Sequence, residues 1–361
     1  MEIERTFVGL DVHARSVVAC ALDDVTGELS KARLVPDNET ILTWLRGLNG
    51  PVAVVYEAGP TGFGLARFLI DHAVRCVVAA PSKMHRPSGD RVKTDARDAL
   101  LLARLLRLGE ITPVTVPSLA QEAARDLVRV REDVRADLMR ARHRTSKLLL
   151  RQGIMWSGGT SWTGAHQQWL GRQHFDLPGL QAAYDTTLET VLLAQSRRDR
   201  LDKSITEMAH EPQWWPTVSR LQCLRGISTL TAFGLAVEVG DWTRFTGARI
   251  GAFLGLVPTE DSSGEGRHQG SITKTGNTHA RRLLVEAAWH HQRPYRPTKT
   301  MRDRWDQAPA AARARGHSGN QRLHERWVSF QQRKKRPVIA NVAVARELAG
   351  WCWSLATLEA S

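Results

Sequence analysis

The sequence predicts a mixed α/β layer at its N-terminus, then a long helical segment, then a smaller, mainly α-helical C-terminal region. Three observations predict it. Three short strand-like runs open the chain and give way to alternating helix and strand patterns, which is the order of a mixed α/β layer. Between about 115 and 210 the apolar residues recur at helical spacing. Beyond "WWP" (214–216) short helical patterns surround a stretch rich in Gly, Ser and Thr.

"TFVGLDV" (6–12), "SVVACAL" (16–22) and "SKARLVP" (30–36) read as strands joined by tight turns. "DNETILTWLRGL" (37–48) reads as a capped helix. "VAVVYEA" (52–58) is a continuous apolar run, as in a buried central strand, and "RCVVAAP" (75–81) is a second. "GPTGFGLARFLIDHA" (59–73) reads as a helix, and the basic loop "SKMHRPSGDRVK" (82–93) leads into "TDARDALLLARLL", a helix capped by Thr94.

That last helix carries a contradiction. Asp95, Asp98, Leu102 and Leu105 step by three or four residues and so share one face. Acids suit the first turn of a helix, where they meet the positive end of its dipole. Two of them extending an apolar line repel each other and raise each other's pKa. A divalent cation removes that objection, since Mg²⁺ takes hard oxygen ligands and leaves room for phosphate oxygens and water. Further acids stand where the strand order puts them within reach: Asp11 just past "FVGL" and Glu57 after "VAVVY". Functional groups gather at strand ends in open α/β sheets. Asp11, Glu57, Asp95 and Asp98 converging from two strands and one helix is the arrangement of RNase H-like nucleases. There two metals roughly 4 Å apart clamp the scissile phosphate.

Composition narrows the function class. The chain has 361 residues, with a formal net charge of +13 and a hydrophobic content of 42%, so it is globular and suited to a polyanion partner. Residues 293–336 hold thirteen Lys and Arg against three acids, a net +10, which predicts a phosphate-contacting surface. Cys20, Cys76, Cys223 and Cys352 form no CxxC pair, which argues against a structural zinc site or a disulfide framework and fits a reducing cytoplasm. No stretch approaches the roughly 18 apolar residues of a membrane span. "MEIERTFVGLDV" lacks the layout of a signal peptide.

In the helical segment, Leu127, Val130, Val134, Leu138, Ala141 and Leu148 are spaced as on a helix, "WSGGTSWTG" (156–164) breaks the pattern, and 180–205 resumes it. An antiparallel hairpin, a dimerising coiled coil and an ordinary bundle all fit. "LRGISTLTAFGLAVEVGDWTRF" (224–245) reads as helix, Gly turn, helix. Gly226 opens a turn that is either a plain αα-turn or a helix-hairpin-helix module offering amides to a phosphate. The Gly/Ser/Thr-rich centre of 253–289 reads as a loop, flanked by Arg267, Lys274, Arg281 and Arg282, that suits close approach to a phosphate backbone. Arg333, Lys334, Lys335 and Arg336 form the densest part of the basic segment.

"GLDVHARS", "VYEAGPTGFGLARFL" and "GDRVKTDARDALLLARLL" resemble the DEDD-type N-terminal domain of the insertion sequence one-hundred-and-ten family of transposases. "LRGISTLTAFGLAVEVGDWTRF", "GAFLGLVPTEDSSGEGRHQGSITKTGNTHARRLLVEAAW" and the closing "PVIANVAVARELAGW" resemble that family's C-terminal domain, in the family's order. The resemblance implies a RuvC-like domain over 1–110, a coiled-coil dimerisation segment over 111–215 and a transposase domain over 216–361. It implies a cytoplasmic DNA recombinase guided by a noncoding bridge RNA, acting on donor and target DNA as a homodimer that is tetrameric on DNA. It assigns Mg²⁺ or Mn²⁺ to Asp11, Glu57, Asp95 and Asp98, and a nucleophilic role to Ser263 of "SSG". A RuvC-like endonuclease or junction resolvase would use the acids alone with activated water. "GLDVHARSVVA" also resembles the first phosphate strand of an actin-like ATPase or sugar kinase, but no second Asp-Gly-rich phosphate loop follows it in the sequence. A non-catalytic nucleic-acid-binding protein leaves the four acids unexplained.

Overall fold

The structure is a computed structural model that describes residues 4–84, 94–263 and 266–358, with the side chains of Ser262, Ser263 and Arg267 outside that description. Most of the basic loop, residues 85–93, lies outside the described residues. The chain divides into two compact units, Met1–Ser118 and Leu119–Ser361.

The first unit runs β1 (Thr6–Val12), β2 (Val17–Asp23), β3 (Leu29–Leu34), α1 (Asn38–Arg46), β4 (Val52–Glu57), α2 (Gly64–Asp71), β5 (Arg75–Ala79) and α3 (Asp95–Arg107). The sheet order is β3-β2-β1-β4-β5; the first three strands are antiparallel, while β1, β4 and β5 are parallel. Alternation along the strands divides the core. Val8, Leu10, Val54 and Tyr56 pack with Ile41, Leu45 and Leu69 of α1 and α2 on one face. Ala53 and Val55 pack with Leu102 and Leu106 of α3 on the other. The caps are as the residues dictate: the Asp37 carboxylate accepts from Thr40 N at 2.8 Å and Thr94 Oγ1 from Arg97 N at 3.4 Å. The helix expected over 59–73 begins only at Gly64. Gly62, at φ +71, closes a turn before it, and Tyr56 donates to its carbonyl at 3.1 Å.

The second unit contains α4 (Leu119–Arg151), α5 (Gly164–Leu170), α6 (Pro178–Ala209), α7 (Trp215–Leu221), α8 (Thr229–Val239), α9 (Ile250–Phe253), β6 (Pro258–Ser263), β7 (Gly266–Ile272), α10 (Thr278–Ala288), α11 (Lys299–Trp305), α12 (Ala310–Gln332) and α13 (Pro337–Ala356). The two long helices pair with each other in reverse order. Leu148 and Leu149 pack with Tyr184, Leu138 and Ala141 with Val191 and Ala194, and Ala124 and Val128 share a core with Ile205 and Ala209. That order makes α4 and α6 an antiparallel hairpin, with α5 in the connection. Its base joins the core of α7, α8, α10, α12 and α13.

The Gly/Ser/Thr-rich centre of 253–289 is not the loop expected. It forms a two-stranded antiparallel ribbon in which Pro258 pairs with Ile272 and Ser263 with Gly266. Ladder hydrogen bonds satisfy the backbone where side-chain propensity gave no strand signal.

Candidate metal centre and nucleic-acid surfaces

Gly9 explains where the acids meet. A Cβ at this position on β1 would lie 1.9 Å from the Ala99 carbonyl oxygen and 2.7 Å from Ala103 N. Only glycine lets α3 lie directly on the strand. Asp11, two residues on, shares the face of Gly9 and emerges beneath the first turn of α3. Glu57 shares that face by the same alternation as Ala53 and Val55. Leu10 and Tyr56 are the last registered pair of the parallel β1–β4 ladder, so Asp11 and Glu57 stand level, one residue beyond it, on adjacent strands. Thr94 begins α3 at this point, and its first turn brings Asp95 and Asp98.

Ligand atoms of Asp11, His13 and Asp95 all lie within 4.8 Å of one another. His13 Nε2 is 3.2 Å from Asp11 Oδ1. Burial pushes the Asp11 carboxyl above the ordinary carboxylate range; His13 opposes this, and the negative charges of Asp95 and Asp98 add to it. Asp98 and Glu57 are outside the 4.8 Å group, Asp98 one turn further along α3 and Glu57 on the neighbouring strand. His13 was not singled out from the sequence, although its place two residues after Asp11 was the available signal. Lys31 and Arg33 were missed as well. Asp11 pairs with Val18 and Val18 with Arg33, so one cross-sheet row runs from the acid to a cation on edge strand β3. Lys31, Arg33, Thr94 and Asp95 border a cleft of about 420 Å³.

In the second unit Ser263 ends β6, at the tip of the ribbon. The same unit holds a buried acid. The Glu238 side chain on α8 is fully buried and accepts from Arg129 Nε and Nη2, both at 2.9 Å, from Asn277 Nδ2 at 2.6 Å, and pairs with His279 Nδ1 at 3.1 Å. Burial works to raise its pKa, but the hydrogen bonds from His279, Arg129 and Asn277 outweigh it and hold the carboxyl down to about 2. Asn277 also caps α10, accepting from Ala280 N at 2.9 Å. Glu238 therefore ties together α4, α8 and the start of α10.

Comparison with known proteins decides the family. Residues 8–153 match a family model for DEDD transposases of IS110 type, and 218–305 match the model described as "Transposase IS116/IS110/IS902 family". The chain is 38% identical over 363 residues to "Putative transposase y4qE" of Sinorhizobium fredii, covering 98% of this chain and 89% of that protein. It is 32% identical over 343 residues to the transposase for insertion sequence element IS1533 of Leptospira borgpetersenii, covering 92% and 98%. The chain belongs to the IS110 family of transposases.

It is thus an enzyme that cuts and rejoins DNA, and the DEDD domain implies use of divalent metal. The donors here fit that group: hard carboxylate oxygens crowded on one face, with Asp11 held above its ordinary pKa by burial and by like charge that a cation would neutralise. The mixed sheet agrees with an RNase H-like layer, and no helix among the described residues is long and apolar enough to cross a membrane.

The basic residues of this transposase divide by their partners. Arg281 donates to the carbonyls of Leu254 and Thr275 at 3.0 and 2.9 Å and so locks the turn around Lys274, which is at φ +55. Arg282 pairs with Glu132, and with Glu286 at 2.7 Å. Lys274, Arg333, Lys334, Lys335 and Arg336 are exposed, the last four in the α12–α13 turn. The turn at Gly226 is packed inward. A Cβ there would sit 2.5 Å from the Ala287 carbonyl, Arg225 N donates to Asn320 Oδ1 at 2.8 Å, and Ile227 N donates to the Leu224 carbonyl. Those amides serve the fold of the C-terminal core.

Proposed function

We propose that this transposase recombines DNA through a covalent seryl–DNA intermediate, with Asp11, Glu57, Asp95 and Asp98 as metal ligands and Ser263 as nucleophile, under guidance of a bridge RNA. The observation that carries the metal reading is the meeting of Asp11 and Asp95 over Gly9, level with Glu57 and one helical turn from Asp98. A divalent ion held there would supply Lewis acidity at a phosphate oxygen. His13 adds a nitrogen donor, which favours Mn²⁺ over Mg²⁺, a harder ion that takes oxygen ligands.

Ser263 Oγ attacks a phosphodiester phosphorus. One Ser–O–P bond forms, one P–O ester bond breaks, the serine proton passes to a base, and the departing strand ends in a free hydroxyl. The phosphoserine conserves the bond energy for rejoining, as hydrolysis by activated water would not. The acids and the serine belong to different compact units. The resemblance implies different protomers, with the helical segment 111–215 as the dimerisation element between the RuvC-like domain over 1–110 and the transposase domain over 216–361. The exposed cations of the α12–α13 turn and Lys274 would bind phosphates of DNA and RNA, whereas Arg281 and Arg282 act through the fold.

Replacing Asp95 or Asp98 with Ala should abolish strand cleavage while leaving the thermal midpoint unchanged or raised, because like-charge repulsion is relieved. Cleavage of labelled DNA in Mg²⁺ alongside a melting curve checks this. Native-rate cleavage by Asp98→Ala would remove that residue from the metal set.

A further inference from the structure

A groove of about 1210 Å³ in the second unit takes in Lys335 of the α12–α13 turn and extends well beyond it. Its walls are α12, α13, the α9 region and the root of the β6–β7 ribbon, through Pro258 and Gln269–Ile272. Its chemistry is two-sided. Arg315, Arg326, Lys335 and Arg346 line it, against one acid, Glu347, already paired with Arg322 at 3.1 Å and Arg326 at 3.5 Å. Yet Val338 and Ile339 stand at its edge 62% and 55% exposed, with Trp351 and Trp353 in the wall. Glycines shape that wall closely, since a Cβ on Gly247 would lie 3.1 Å from the Trp353 ring and one on Gly251 3.2 Å from Arg346 Cγ.

We infer that this groove holds unpaired single-stranded DNA, phosphates on the Arg and Lys side chains and base faces on the Val338–Ile339 ledge. The excess of cations selects a polyanion. The apolar ledge selects one with exposed apolar faces, which a duplex buries in its stack and a single strand presents. The place is also right. The groove borders the root of the ribbon that ends in Ser263, in the same compact unit, and an enzyme that cuts and rejoins DNA must keep hold of strands unpaired in the exchange. The inference rests on the family's DNA chemistry but not on the identity of the nucleophile.

The test is binding by the full chain in EDTA, read by fluorescence anisotropy. The probes are a mixed-sequence 12-nucleotide DNA, an abasic strand of equal length and charge, and RNA of the same sequence. The native chain should bind the DNA about tenfold more tightly than the abasic strand, on the order of what burying one aliphatic side chain contributes. Val338→Ser with Ile339→Ser, both on the surface, should erase that preference and leave the salt dependence intact. Arg315→Gln with Lys335→Gln should weaken both DNA probes and lower the salt slope by about 1.4, the release expected from two single-strand phosphate contacts. No preference for bases in the native chain, or a preference that survives the Val338/Ile339 change, overturns the proposal. RNA bound tenfold better than DNA, with the same sensitivity to the ledge, reassigns the groove to RNA. Loss of self-association in the ledge variant, with base preference retained, assigns it to a second copy of the chain. None of these outcomes alters whether Ser263 forms an adduct, which is read separately.

Discussion

Asp11 shows how one side chain acquires its setting from another residue's lack of one. The absence of a Cβ at Gly9 brings Ala99 down onto β1, and α3 arrives with its acidic first turn beside the Asp11 carboxylate. The acids were legible from the sequence because they interrupt apolar patterns: Asp11 after "FVGL", Glu57 after "VAVVY", Asp95 and Asp98 on the line of Leu102 and Leu105. Glu238 interrupts one too, in "TLTAFGLAVEV", but its partners Arg129, Asn277 and His279 come from distant segments, and no local pattern announces them. Its carboxyl sits near 2 in the folded chain against an ordinary 4.5. The stabilisation it provides is therefore complete above pH 4.5 and lost as pH falls towards 2. Glu238→Ala should cost about 3 kcal/mol at neutral pH, since it leaves Arg129 and His279 without their partner. The cost should shrink as pH falls through that window. Denaturant titrations of the two proteins at pH 7 and pH 3 check this; a constant difference would contradict it.

Among the elements, β1 to α3 follow the sequence to within a few residues, because caps, turns and apolar periodicity agree there. The β6–β7 ribbon was hidden by its composition. "PTEDSS" and "GRHQGSI" contain few β-branched or aromatic residues, so pairing rather than propensity makes the strands. α12 has two faces, with Arg315 and Arg322 exposed on one. On its other side Gly316 and Gly319 let it press on Cys223 and Trp351, where Cβ atoms would come within 2.5 and 3.0 Å. The contact between β1 and α3 is the element-level feature on which the metal centre depends. Gly9→Ala should destabilise the first unit by about 2 kcal/mol through overpacking. It should also weaken Mn²⁺ binding, read by its paramagnetic effect on water relaxation. Mn²⁺ affinity equal to that of the native chain would show that α3 need not lie on β1.

For the whole molecule, the division into two compact units places the acids in one and the serine in the other. The α4–α6 hairpin leaves Val130, Leu150, Leu192 and Leu193 about half exposed, which supports a second copy as their cover. If a second copy covers them, Leu192→Glu with Leu193→Glu should shift sedimentation towards monomer and reduce recombination in parallel. A dimer that persists would move the interface elsewhere. If halves of the site come from different chains, mixing Ser263→Ala with Asp11→Ala protein should restore part of the recombination that each lacks alone; activity no greater than either variant's would place both halves in one chain.

Trapping a covalent bond between Ser263 and DNA tests the proposed chemistry most directly. The transposase, incubated with divalent metal, the proposed guide RNA and a nicked substrate, is denatured, digested with nuclease and protease, and analysed by mass spectrometry. A nucleotide adduct on the peptide carrying Ser263, absent from Ser263→Ala and from Asp11→Ala, is the predicted result. Strand cleavage that proceeds with no protein–DNA adduct would contradict it and assign the reaction to metal-activated water.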